Sequence, residues 1–354
     1  MALQGSGQIS ASNIANEFGY TNGSETRLGS YRTTNGQGNF PVSFGTLSFS
    51  SIDGGGSVPT SGQIKFSDFY STKLQTIVNF YGSGRGGSRL VAKDRYNAGG
   101  SNDVNVVGNY RTRPSNSSGT KVHIHVNQQI GSEKTRVEHC ALRTGSWDSS
   151  TTLQVDVGGS GRIGGAGGDG GRGSDSSNGN STSGRGGDGT SGLGVQYNPT
   201  TVNVASGGVI TAGFGGGGGG GGAYDTDKEG ARTASGGGGG GGAGIPAGAG
   251  GAAGFNAGVN GQPGNAGSIS EGGTPGEGGN NDGEAVAGDG GTGGEASDSA
   301  DSGVTGQGGE GSTYSPGPAG SPGAAIRRNT GFTVNVNIAS SGSVNGVQNA
   351  TTVL

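Results

Sequence analysis

Between residues 75 and 157 polar and apolar residues alternate in short stretches. Examples are Gln75-Thr76-Ile77-Val78-Asn79-Phe80, Val104-Asn105-Val106-Val107, Lys121-Val122-His123-Ile124-His125-Val126 and Leu153-Gln154-Val155-Asp156-Val157. A period of two puts alternate side chains on opposite faces, which is the pattern of half-buried strands. Turn residues separate them at Gly82-Ser83-Gly84, Asn97-Ala98-Gly99-Gly100 and Pro114-Ser115-Asn116-Ser117-Ser118-Gly119. The pattern predicts a small antiparallel β-sandwich over residues 76–157.

The alternation then recurs as a repeat. Thr152-Leu153-Gln154-Val155 leads to Gly161-Arg162-Ile163-Gly164, Thr201-Val202-Asn203-Val204 leads to Gly208-Val209-Ile210-Thr211, and Phe332-Thr333-Val334-Asn335-Val336 leads to Gly342-Ser343-Val344-Asn345. Three such units can stack as a β layer, with glycine arms leaving from one edge.

Residues 1–75 form a separate pattern with an internal echo. Ser6-Gly7-Gln8-Ile9-Ser10-Ala11-Ser12-Asn13-Ile14 matches Ser61-Gly62-Gln63-Ile64-Lys65-Phe66-Ser67-Asp68-Phe69. Each reads as an extended piece entering a capped helical turn, with Ser12 and Ser67 as candidate N-caps and Gly19 as a helix stop. Ile9, Ile14, Phe18, Ile64, Phe66 and Phe69 are the candidate core. A core this small implies a partner or further copies of the chain.

The remainder, residues 158–354, is dominated by glycine, of which the chain has 89 in 354 residues. Gly164, Gly167, Gly170 and Gly173 share a frame of three, as do Gly248, Gly251 and Gly254, and Gly288, Gly291 and Gly294. That is the period of a polyproline II helix, whose N–H and C=O groups all point outward and can bond to neighbouring helices. The frame slips between runs, where folded-back helices would turn. The expectation is a bundle of short polyglycine II helices with flanking strands. Disordered low complexity and a collagen-like triple helix are the competing readings.

Charge sharpens this division. Residues 158–325 carry 5 basic and 15 acidic side chains, residues 76–157 carry 10 and 6, and residues 1–75 carry 4 of each. An acidic glycine half is a poor nucleic-acid binder, because phosphate contacts need Lys and Arg. No apolar run approaches a membrane span and the start is no signal peptide, so a soluble product without membrane insertion is expected.

Catalytic and metal patterns are sparse. His123 and His125 share one strand face and carry at most a metal-binding hint, weighed against two plain strand histidines. His139-Cys140 point to opposite faces, so no dyad forms. Asp225 and Asp227 lack a full set of Ca²⁺ ligands. Neither an enzyme nor a cofactor is expected. The large and charged side chains of the glycine half instead sit in its interruptions: Ser174–Asn178, Ala223–Glu229, Phe255-Asn256 and Ser297–Asp301. Loops on a rigid scaffold are the usual place for binding. The candidate binding residues are Tyr224, Asp225, Asp227, Lys228, Glu229 and Arg232, then Phe255, Asn256 and Tyr314.

The paired Ser-Gly-Gln-Ile segments, ending in Ser67-Asp68-Phe69-Tyr70, resemble the N-terminal modules of tail-fibre and virion structural proteins of tailed bacteriophages, those of marine cyanophages especially. Ala141–Trp147 through Gly161–Gly171, with Gly320–Ile326 as an exit, is similar to glycine-rich phage tail proteins. The resemblance extends to tail-fibre adhesins whose receptor-binding domain is a polyglycine II sandwich with variable loops at its tip. It implies a protein of the virion tail, made in the host cytoplasm. Residues 1–75, through Ile9, Ile14, Phe18, Ile64, Phe66 and Phe69, would join it to other tail or baseplate proteins. The glycine-half loops would meet a host receptor, an outer-membrane protein or polysaccharide. A virion component with no receptor is the alternative, and an ice-binding protein a more distant one, since Asp, Arg, Glu and Asn interrupt any regular face.

Overall fold

The computed structural model describes residues 3–17, 28, 43–44, 47–48, 52–54, 58–59, 61–101, 104–108, 116–175, 182–227, 230–255, 258–281, 285–296, 298, 307–308 and 312–354. The alternating segments do form strands, but their main arrangement is a parallel solenoid. Thr72–Phe80, Lys121–Val126, Thr152–Val157, Thr200–Val204 and Val334–Ile338 stack in parallel as a first face. Gln129–Gly131, Arg162–Gly164, Val209–Thr211 and Ser343–Asn345 make a second face, with Arg85 bridging to Ile130 at its start. Leu90–Val91, Cys140–Arg143, Ser191–Val195, Ile326–Arg328 and Ala350–Thr351 make the third. The chain therefore climbs in rungs, visiting each face once per rung.

This corrects the antiparallel sandwich. Alternation marks a half-buried strand without giving its direction. The turns after Phe80 and Val126 are corners between faces, so the partner of Val122 is Leu153, a full circuit later. Among the described residues, antiparallel pairing on this sheet is confined to the first-rung strand and what lies beyond it: Val104–Gly108 and Ile52–Gly54 pair with Thr72–Phe80, and Gly100–Ser101 with Val104–Gly108. Thr72–Phe80 spans position 75, and Thr152–Val157 ends at position 157. The three repeats read from the sequence are rungs three, four and five, in register through Val155, Val202 and Val336.

Inward side chains stack in columns along the bore. Val78, Ile124, Val155 and Val202 line up on the first face, Ile130, Ile163 and Ile210 on the second, and Leu90, Leu142, Leu193 and Ile326 on the third. Burial of each such side chain stabilises by about 1.5–3 kcal/mol. At one corner Lys93 bonds Asp148 at 2.6 Å and lies 4.8 and 4.9 Å from the rings of Tyr96 and Trp147. Hydrogen bonds from Lys93 and Ser117 hold the Asp148 carboxyl well below the usual carboxylate range.

The outer side of the first face carries a polar ladder. Asp156 is fully buried and accepts hydrogen bonds from Asn203 at 2.8 Å and Gln154 at 2.6 Å, and pairs with His123 at 2.7 Å. Burial alone would raise its pKa, yet these partners bring it below the ordinary value. His125 meets Asn79 at 2.9 Å, and burial lowers its pKa from 6.5 to about 4. His123 and His125 do share a face, each built into this ladder. Cys140 is buried, and burial pushes its thiol up to about 12.

The glycine segments are excursions from one corner, between the second and third faces. One leaves after Gly164 and returns at Ser191; the other leaves after Thr211 and returns at Ile326. Their runs are extended and bond sideways with a period of three. Gly167, Gly170 and Gly173 donate to Pro246, Ala249 and Ala252; Gly168, Gly171 and Ser174 donate to Phe214, Gly217 and Gly220. On the third side Thr190, Gly187 and Gly184 donate to Ala166, Asp169 and Arg172. Neighbours approach closely enough that a Cβ on Gly167 would lie 2.1 Å from the carbonyl oxygen of Gly242. Aspartates satisfy outward N–H groups at the rim: Asp169 accepts from Ala249, Asp175 from Phe255 and Asp188 from Ser321, each at 2.7 Å.

At the N-terminus, Ala11–Glu17 is helical and Phe66–Phe69 a 3₁₀ turn. The caps sit two residues earlier than Ser12 and Ser67. Ser10 N–H bonds the Asn13 side chain and Lys65 N–H that of Asp68, at 2.9 and 2.7 Å. These are equivalent positions of the echo, where a short polar side chain three residues on reaches back to the free N–H. Ile9, Ile14 and Phe69 are buried together with Val58, and Ile64 packs against them. Phe66 is 42% exposed and leaves the core, because the 3₁₀ turn spends its apolar side on Phe69. Phe18 and Gly19 lie outside the described residues.

Candidate functional site

Tracing the runs outward separates their turns into two groups. Pro246, Ile269-Ser270 and the Glu295–Asp298 turn lie on the side of the solenoid. There Ile245 packs into the space left by Gly131 and Gly164 on the second face. A pocket of about 230 Å³ opens beside it, with Arg162, Val209, Phe214 and Ile269 in its lining. None of the candidate binding residues lines this pocket. Asp298, from an interruption expected to bind, therefore sits at the opposite end from the others.

The far end is built by hairpins. Ala223–Asp227 pairs with Gly230–Ala234, and Ser312–Thr313 adds to its other edge. Asn280–Asn281, Ala285–Val286 and Gln307–Gly308 form a second small sheet. The two share a cluster of buried alanines, Ala223, Ala234, Ala285 and Ala287. Small residues suit this place, since the strands continue runs whose backbones are in contact. Val259 bridges Ala234, which ties the turn after Phe255 to the same end.

Most described candidate residues converge here. Tyr224 is half-buried, opposite Thr233 on one side and Ser312 on the other. Asp225 faces Arg232 in register and is 4% exposed, with Arg232 half-buried. Asp227 is opposite Gly230. Tyr314 is half-buried and donates its N–H to Gly222, beside the first hairpin. Phe255 is 71% exposed, while its N–H is fixed by Asp175, itself paired with Arg172 at 2.5 Å. Lys228, Glu229 and Asn256 lie outside the described residues.

Sequence reasoning missed the second small sheet at this end. Asn281 belongs to it and donates to the carbonyl of Thr233 at 3.3 Å, which links the two hairpins. Its signal was present, since Asn280-Asn281 and Ala285-Val286 interrupt the glycine frame. No group of three or more metal-ligating side chains occurs among the described residues, and no helix among them is long and apolar enough to cross a membrane.

A family model for the phage tail fibre adhesin Gp38 matches residues 95–348. The chain belongs to that family. The match takes in rungs two to four, the glycine excursions and the first two strands of the fifth rung, so it spans solenoid and bundle together. A solved structure that is similar is the crystal structure of the gp37-gp38 adhesin tip complex of the bacteriophage S16 long tail fiber. That similarity covers 81% of this chain and 90% of the other at 17% identity, with a TM-score of 0.29. No curated protein matches the chain. Residues 1–94 fall outside the family match, and with them the echo module and the first rung.

Proposed function

We propose that this member of the Gp38 family recognises the host surface through the far end of its glycine domain. In this reading the runs are polyglycine II helices. The period of three in their sideways hydrogen bonds supports that assignment. The bundle acts as a rigid stand. Its far end presents Tyr224, Asp225, Asp227, Lys228, Glu229, Arg232, Phe255, Asn256 and Tyr314 to an outer-membrane protein or polysaccharide, and the chain binds this ligand without turning it over. Residues 1–75 join the chain to other tail or baseplate proteins through the module around Ile9, Ile14, Ile64 and Phe69.

One observation carries the reading. Phe255 stands 71% exposed on a backbone held by Asp175, at the same end of the bundle as half-buried Tyr224 and Tyr314. Exposed aromatics on a preordered frame lose little entropy on binding, and Tyr and Arg are enriched at binding hot spots. Replacing residues 223–232 by a Gly/Ser stretch of equal length in phage tests it. Particles should assemble normally and adsorb poorly to host cells. Unchanged adsorption after this replacement would leave a purely structural role.

A further inference from the structure

The cleft between the second face and the near side of the bundle has a floor and a roof of different origin. Ile163, Ile210 and Val344 point into the bore. Arg162, Val209 and Ser343 therefore face outward as one row across three strands, with Thr211 and Asn345 in the next row. This is the floor. The bundle supplies the roof through Phe214, Ile245, Ile269 and Ser270, and Ile245 closes one side by filling the space over Gly131 and Gly164. Ile269 is 45% exposed, yet its turn is fixed: Ser268 Oγ accepts from the N–H groups of Ser270 at 3.3 Å and Glu271 at 2.9 Å. The space of about 230 Å³ is smaller than the roughly 300–1,000 Å³ of pockets for drug-sized ligands, so it suits a single ring.

Polar groups sit at opposite edges of this floor. Neighbouring strands lie ~4.8 Å apart, which sets Arg162 and Ser343 roughly 10 Å from each other with Val209 between them. Arg162 is exposed, and among the described residues no carboxylate pairs with it. Glu271 and Glu295 flank the roof in the chain, but Glu295 turns its carboxylate to the Gly272 N–H at 3.4 Å. A guanidinium binds a carboxylate through two parallel N–H bonds. The Ser343 hydroxyl and the Asn345 amide each donate and accept, as sugar hydroxyls do. An alkyl tail laid over them would displace their water and return no hydrogen bond, which is costly.

We propose that this cleft binds one ring of a carboxylated sugar, a hexuronic acid or a sugar acid of similar size. The carboxylate lies on Arg162, and the far hydroxyls meet Ser343 and Asn345. Between them the C–H face of the ring packs on Val209 under Phe214 and Ile269. The site is at the solenoid end of the bundle and the surface around Tyr224 and Phe255 is at the other end, so each can be lost without the other.

Ligand-observed NMR and calorimetry on the full chain test this, with glucuronate as the probe and glucose and hexanoate as controls. Glucuronate should bind saturably. Each control lacks one half of the pattern, carboxylate or hydroxyls, and should bind about 10-fold or more weaker. Arg162→Gln should weaken glucuronate by about the same factor, the effect of losing a charged hydrogen bond. Val209→Phe fills the floor from outside the bore and should abolish binding with little change in melting. The chain with residues 223–232 replaced should bind glucuronate as the parent does. The proposal is overturned if glucuronate shows no saturable binding, if either control binds equally well, or if either cleft variant leaves binding unchanged. Loss of binding in the 223–232 replacement would put the sugar at the far end and overturn it as well.

Discussion

The solenoid and the glycine bundle satisfy the same requirement with opposite parts of the residue. The solenoid brings side chains together: Ile130, Ile163 and Ile210 stack at the core, and the backbone serves as spacer. The bundle brings backbones together, and nearly every described inward group is an N–H or a C=O. Tolerance to substitution should therefore be reversed. A bore position accepts any apolar residue of similar volume. A run glycine accepts nothing, while the turns beyond the runs accept almost anything. A scaffold of this second kind can change its turns freely without moving its core.

Gly167→Val should break the comparison most severely. Its Cβ would fall 2.1 Å from the carbonyl oxygen of Gly242, and the obstacle is backbone that cannot rotate away. The expected cost exceeds about 4 kcal/mol, beyond ordinary overpacking. Thermal melting and limited proteolysis between residues 158 and 325 measure it. An unchanged melting curve would mean that the runs are not packed in solution.

Ile163→Ala probes the other region. It empties a fully buried position on the second face and should cost about 2–5 kcal/mol. Ile163→Val should cost only about 0.5–1.5 kcal/mol. That gradation with size is the signature of side-chain packing, and Gly167→Ala should show none, failing nearly as badly as valine. If alanine is tolerated at Gly167, the backbones are less close than the hydrogen bonds imply.

These two substitutions also mark what was legible beforehand. The bore columns were legible, because Val122, Ile124 and Val126 alternate with Lys121, His123 and His125. Direction was not, since a strand shows the same alternation whether its partner follows a tight turn or a full circuit. The sandwich reading failed there. The repeat through Val155, Val202 and Val336 held the better clue, for copies at similar phase can stack in register. The echo placed Ile14 and Phe69 in equivalent buried positions but not Phe66, whose fate depends on how tightly the turn winds. At the far end, Tyr224, Arg232, Phe255 and Tyr314 stood out as large side chains among glycines. Which interruptions lie near the solenoid and which far from it depends on counting runs, and the side on which Asp298 falls could not be read from spacing alone.

Acid should separate the two regions next. His125 has its pKa lowered to about 4 by burial, against an ordinary 6.5. The unfolded chain therefore binds a proton that the folded chain refuses throughout this window. Stability contributed by the neutral imidazole is complete above pH 6.5 and is lost as pH falls toward 4, by about 2 kcal/mol at pH 5. Asp156, also lowered, contributes above the ordinary carboxylate value and is lost on further acidification. Both groups belong to the solenoid ladder. Melting at pH 7.5 and pH 5 should show this loss, and His125→Gln should flatten it. An equal loss in the flattened variant would assign the acid sensitivity elsewhere.

The smallest effect on stability should come from Phe255→Ala, and it is the most telling about function. The ring is 71% exposed, so its removal takes little apolar surface out of a buried state. The backbone at that position is held by Asp175 through the N–H of residue 255, which alanine keeps. The turn should retain its shape, and melting should shift by no more than about 0.5 kcal/mol, as for other surface positions. Adsorption to host cells should nevertheless fall, because the ring is a large apolar contact already in place before binding. Asp175→Ala should reduce adsorption too, while leaving the ring present, since it releases the backbone that positions it. If both variants adsorb as well as the parent phage, this turn lies outside the contact, and Tyr224, Arg232 and Tyr314 must carry recognition without it.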